Sequence, residues 1–100
     1  MKLKPRGIDK PTVIGDLRRI PGVGPSIAED LWNIGIRAVV ELKDGDPDDL
    51  YRRICVYQGC QVDRCMLYVM LCAVYFASNE THDAELLKWW KWKEPHAASR

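Results

Sequence analysis

Leu17-Arg-Arg-Ile-Pro-Gly-Val-Gly-Pro-Ser-Ile-Ala-Glu-Asp-Leu31 reads as the end of one helix, a glycine turn and the start of a second helix. Gly22 and Gly24 flank a single apolar residue, and both are expected to take backbone angles that a side chain would crowd. Pro25 suits the first position of the second helix, where a missing N–H costs nothing. The N-terminus of that helix turns unpaired N–H groups and a partial positive charge toward whatever lies in front of the turn. An anion fits there, and phosphate is the usual one.

The apolar residues Leu17, Ile20, Val23, Ala28 and Leu31, the turn Pro21-Gly-Val-Gly24 and the following Gly35-Ile36 resemble the helix-hairpin-helix motif of DNA-binding proteins that do not read sequence. The resemblance implies that the amides of Gly22, Val23 and Gly24 hold DNA phosphates. Ser26, Arg18, Arg19 and Arg37 are expected in support. The same kind of hairpin also joins helices or docks a partner protein, so a protein-interaction module is the rival reading.

Working outward, Thr12 is the expected cap of a first helix carrying Val13, Leu17 and Ile20. The second helix should bury Ile27, Leu31 and Ile34 and stop at Gly35. After a connector at 37–42, Asp46 caps a third helix that has Pro47 in front and Asp48 and Asp49 in its first turn, where carboxylates suit the macrodipole. Leu50, Ile54 and Tyr57 form its expected buried stripe, and Gly59 ends it. A fourth helix should run from about Asp63 to Ser78. No stretch alternates like a strand. The reading is all-α: a compact helix-hairpin-helix domain, arranged as a degenerate tandem of two units with a connector helix and a short C-terminal helix or tail. The second turn, Gln58-Gly-Cys-Gln-Val-Asp63, lacks the Gly-x-Gly pattern, which predicts weak binding alone or binding within a larger protein assembly.

One hundred residues with 47% apolar and 29% charged composition describe one globular domain. Cys65–Ala77 is the longest uncharged apolar run and falls short of the roughly twenty residues that span a bilayer, so no membrane contact is expected. Lysines near the start with no apolar stretch behind them argue against a signal peptide and for the cytoplasm. The net charge of +1 is unevenly spread. Residues 1–19 carry +4 and residues 20–50 carry −5. Lys2, Lys4, Arg6 and Lys10 make residues 1–11 a basic flexible arm feeding the hairpin, with Arg18 and Arg19 beside it. The domain proper is expected over 12–93, the intact motif over 17–36, and a disordered tail over 94–100.

The spacing Cys55-x4-Cys60-x4-Cys65-x6-Cys72 is only marginally compatible with the close cysteine pairs of a structural zinc site. Cys65 and Cys72 read as small buried hydrophobes, and Cys60 as the thiol that solvent reaches. No metal and no cofactor are expected. Asp44-Gly-Asp-Pro-Asp-Asp49 lacks the glycine and glutamate of a calcium loop, and helix capping accounts for its acids. The two histidines, His82 and His96, lie apart from the cysteines, and no phosphate-binding Walker loop is present, so no catalysis is expected.

The tail Leu87-Lys-Trp-Trp-Lys-Trp-Lys93 interleaves aromatics with lysines, as single-strand binders do. Packing of Trp89 or Trp90 with Leu86 and Leu87 is the stronger expectation, because Leu86 and Trp90 would share a helix face. Taken together, the hairpin, Asp46-Pro-Asp-Asp-Leu-Tyr51, the segment 63–77 and this tail are similar to the bacterial "pathogenicity locus" family, whose members are often labelled mitomycin-resistance proteins. The resemblance covers nearly the whole chain. It implies a helix-hairpin-helix fold and a link to DNA damage, and brings no known activity with it.

Overall fold

The computed structural model describes residues 9–93. Its elements are α1 (Lys10–Leu17), α2 (Pro25–Asn33), a 3-10 turn (Val39–Leu42), α3 (Pro47–Gln58), α4 (Cys65–Ser78) and two further 3-10 turns, Ala84–Leu87 and Trp89–Lys93. Among the described residues all regular structure is helical. None of these helices is long and apolar enough to cross a membrane.

Each helix start has a local cause. Asp9, rather than Thr12, caps α1: its carboxylate accepts the Thr12 N–H at 3.3 Å and the Thr12 hydroxyl at 2.8 Å. Pro11 therefore lies in the first turn, and Lys10 and Pro11 belong to the helix instead of to a flexible arm. Asp46 caps α3 as expected, accepting the N–H groups of Asp48 and Asp49 with Pro47 at the first position. Asp63 receives the Cys65 N–H at 2.7 Å and so prepares the start of α4.

α2 and α3 stop in the same way. Gly35 and Gly59 take positive φ (+100° and +74°), which an L side chain resists. The N–H after each glycine then turns back onto the carbonyl five residues earlier, Ile36 to Leu31 at 2.9 Å and Cys60 to Cys55 at 3.2 Å.

The core gathers Val13, Leu17, Ile20, Val23, Ala28, Leu31, Ile36, Leu42, Leu50, Ile54, Met70 and Ala73 around the apolar α4. The expected stripes need three corrections. Ala28, rather than Ile27, is the fully buried residue beside Leu31; Ile27 and Ile34 are half-buried. Tyr57 is 60% exposed because α3 presents Leu50 and Ile54 inward and turns its last residues outward. Cys65, at the first position of α4, is half-buried, whereas Cys72 in the middle is fully buried. The connector is a 3-10 turn, and Asp16 of α1 holds its start by accepting the Val39 N–H at 2.9 Å.

The tail is neither a continuous α-helix nor free. Two 3-10 turns wrap it against α4, with Asp83 capping the first through the Glu85 N–H. This change of geometry separates Leu86 from Trp90. Trp89 packs on the core and Trp90 is left 50% exposed. Trp92 is anchored by its indole N–H, which donates to the Leu86 carbonyl at 3.0 Å. The expected tail 94–100 and the arm residues Lys2, Lys4 and Arg6 lie outside the described residues.

Candidate nucleic-acid interface

The turn between α1 and α2 is built by Ile20, Pro21, Gly22, Val23 and Gly24. Ile20 and Val23 are buried and pin the loop from below. The Val23 N–H donates to the Ile20 carbonyl at 3.0 Å, closing the turn on itself. That bond removes Val23 from the amides open to a ligand. Gly22 sits at φ +90°, as the sequence led us to expect. Gly24 does not: its φ of −92° and ψ of −170° are extended backbone, and it serves as the N-cap residue of α2. Its value to the site is open space, since a Cβ there would meet nothing within 4 Å.

Within the described residues, the N–H groups of Gly22, Gly24, Ser26 and Ile27 have no protein acceptor. Four donors thus cluster at the N-terminal end of a nine-residue helix, where the backbone dipoles add a partial positive charge. Ser26 is exposed in the first turn and adds a hydroxyl.

The arginines divide. Arg18 follows the last residue of α1, is exposed, and makes no ion pair among the described residues. Arg19 is committed to Asp16 at 2.7 Å. Burial works to raise the Asp16 carboxyl, but the Val39 N–H and the Arg19 guanidinium outweigh it and hold the group below its usual range. Arg19 therefore offers a partly neutralised charge.

Arg37 lies at the opposite end of α2. Its guanidinium stacks 3.7 Å from the centre of the Trp32 ring and donates to the Trp32 carbonyl at 2.8 Å. Lys10, bonded to Glu29 at 2.7 Å, also lies over the Trp32 ring, at 5.8 Å. Nine helical residues span about 13 Å, so this cation–aromatic cluster braces the far end of the helix pair and is separate from the hairpin.

The structure adds one residue that sequence reading placed elsewhere. Trp89 lies directly over the hairpin, with its Cδ1 2.9 Å from where a Cβ on Gly22 would stand. Below them the Cys72 sulfur lies 3.4 Å from the Leu87 carbonyl, 3.6 Å from that of Leu86 and 3.9 Å from that of Pro21. Burial raises this thiol to about 11. Hairpin, α4 and tail therefore meet at one point, some seventy residues apart along the chain. Local periodicity carries no trace of such a contact. Trp90, edge-on to Trp89 with ring centres 5.8 Å apart, is 50% exposed.

A second surface lies on α3. Val56 and Tyr57 are 70% and 60% exposed, and together with Ile34, Gly35, Arg52 and Arg53 they line a shallow apolar groove. Arg53 is partly held there by the Ile34 carbonyl. Among the described residues no group of three His, Cys, Asp or Glu side chains is placed to hold a metal ion.

No solved structure matches the chain. It is similar to "Mitomycin resistance protein McrB" of Streptomyces lavendulae, with 32% identity over 75 residues, 75% of this chain and 68% of the relative. The family model described as "Pathogenicity locus" matches residues 10–97, which takes in the hairpin, all four helices and the tryptophan tail. The chain belongs to the pathogenicity locus family.

Proposed function

We propose that this protein is a DNA-binding accessory module of the helix-hairpin-helix kind, gripping backbone phosphate without reading sequence. One observation carries the reading. The N–H groups of Gly22, Gly24, Ser26 and Ile27, in the turn and the first residues of α2, have no protein acceptor among the described residues, and Arg18, which precedes the turn along the chain, is exposed with no ion-pair partner among them. Phosphate needs such a combination: several fixed donors for its oxygens and one mobile cation to neutralise it. Gly24 lets the phosphate approach closely because no side chain projects there. Val23 contributes its buried side chain, not its amide.

The test is a salt titration of binding to a random-sequence duplex. Wild-type log affinity falls with log salt at about −0.9 per neutralised phosphate, and Arg18→Gln makes the slope shallower by about that amount. Arg19→Gln weakens binding less, and Arg37→Gln leaves it unchanged. Absence of duplex binding at low salt would refute the reading.

The exposed Val56 and Tyr57 favour a second reading, in which α3 docks a protein partner and any hairpin contact is secondary. Val56→Asp separates the two. It leaves duplex affinity intact if the hairpin holds DNA, and abolishes complex formation if α3 is the working surface.

A further inference from the structure

The matching ends of α2 and α3 differ in one informative respect. This form of termination sets the side chains of the first and last residues of the six-residue bend against each other, where an apolar contact usually forms. At α2 those residues are Leu31 and Ile36, both buried. At α3 they are Cys55 and Cys60, half-buried and exposed. A thiol pair thus occupies the two positions that this bend brings near each other.

Three observations fix the pair. The 3.2 Å bond from the Cys60 N–H to the Cys55 carbonyl limits their Cα separation to about 7 Å even for a straight path, and the bent path is shorter. Disulfides bridge Cα atoms roughly 4.4–6.8 Å apart. The Val62 N–H donates to the Cys55 sulfur at 3.4 Å, so that thiol points toward the segment just after Cys60. Finally, Cys55 and Cys60 line one groove of about 440 Å³, open to small molecules and edged by Tyr51, Arg52 and Gln61. Cys72 has no such access, lying beneath the hairpin and the tail.

We propose that Cys55 and Cys60 form a reversible dithiol–disulfide site that exchanges with low-molecular-weight disulfides of the glutathione type. Cys60, the exposed member, attacks as its thiolate. A bond forms from Cys60 to one sulfur of the small disulfide, and the other sulfur leaves as a thiolate that takes up a proton. Cys55 then attacks the Cys60 sulfur as its own thiolate, closing the intramolecular bridge and expelling the second small thiol. Two protein thiols are oxidised by two electrons, and one small disulfide is reduced to two thiols. The bridge ties the last turn of α3 to the loop that leads into α4.

Peptide mapping tests this directly, because trypsin releases Ile54–Arg64 with both cysteines and leaves Cys65 and Cys72 on the next peptide, Cys65–Lys88. The full-length protein is incubated with oxidised glutathione, its free thiols are blocked with N-ethylmaleimide, and it is digested without reductant. The expected product is a 54–64 peptide lighter by two hydrogens and carrying no maleimide, restored by dithiothreitol. Cys55→Ser should stop at a stable glutathione adduct on Cys60, and Cys60→Ser should leave Cys55 largely unmodified. A wild-type protein that keeps the glutathione adduct on Cys60, bridges to the 65–88 peptide, or takes the maleimide on both thiols overturns the proposal. Far-UV circular dichroism of each variant confirms that the helices are intact, so a negative map counts against the chemistry and not against folding.

Discussion

Replacing Gly22 with alanine puts the junction of hairpin and tail under a defined load. The backbone there sits at φ +90°, and a left-handed L-residue costs roughly 1–2 kcal/mol. The new methyl would stand 2.9 Å from Trp89 Cδ1, well inside the usual carbon–carbon contact of about 3.5–4.0 Å. Overpacking of that kind typically costs about 1–3 kcal/mol, though a tail held by 3-10 turns yields more readily than a helix core. The combined loss is about 2–4 kcal/mol. At roughly 4–8 °C per kcal/mol for a domain of this size, the melting temperature should fall by about 8–30 °C. Gly24→Ser is the matched control. That residue is an extended N-cap with open space around it, and serine and glycine differ there by only a few tenths of a kcal/mol, so Tm should move by about 2 °C or less. Thermal melts followed at 222 nm read both. Introducing Trp89→Ala beside Gly22→Ala should remove the steric part and leave the backbone part, so the two losses are less than additive. A Gly22→Ala protein melting within two degrees of wild type would refute the reasoning. So would a Gly24→Ser protein that falls as far as the alanine variant.

Other outcomes follow from the same packing. Deleting residues 84–93 should lower Tm by many degrees and raise binding of a hydrophobic dye, since Trp89 and Trp92 cover α4 and large apolar side chains contribute roughly 1.5–3 kcal/mol each when buried; an unchanged melt would mean the tail is dispensable. Cys60 should be alkylated first and Cys72 last under native conditions, with Cys72 reacting only as the chain unfolds. Because the folded Cys72 thiol titrates near 11 instead of 9.0, its contribution to stability is complete below pH 9 and is lost as pH rises toward 11, which alkaline melts of wild type against Cys72→Ala should show. Asp16 works in the other direction. Its folded pKa lies below the unfolded value of about 3.8, so its contribution is present above that pH and fades as pH falls through the folded value. Asp16→Asn should therefore flatten the acid limb of the stability curve, at a neutral-pH cost of about 1 kcal/mol or less for so exposed a pair.

The helical class, the number of main helices and most of their ends were legible in the sequence because they follow from short-range chemistry. Asp46-Pro47 starts a helix wherever it falls, Gly35 and Gly59 stop one, and the thirteen-residue uncharged apolar run from Cys65 to Ala77 has to form the central helix. The turn at 21–24 was legible for the same reason, as was the exposure of Cys60. Its donors were only partly so. Whether a given amide is open depends on which carbonyl the turn places opposite it, and Ile20 claims the amide of Val23. Tertiary structure alone decided what faces what. Trp32 draws Arg37 to the far end of α2, and Asp16 takes Arg19, so two of the three supporting arginines are partly or wholly spent. Trp89 reaches Gly22 across sixty-seven positions because α4 carries the tail back to the hairpin, a contact set by the packing of distant elements that no local pattern encodes. Sequence by itself determined where the chain turns; the packing of those turns determined which donors, cations and thiols remain available to a partner.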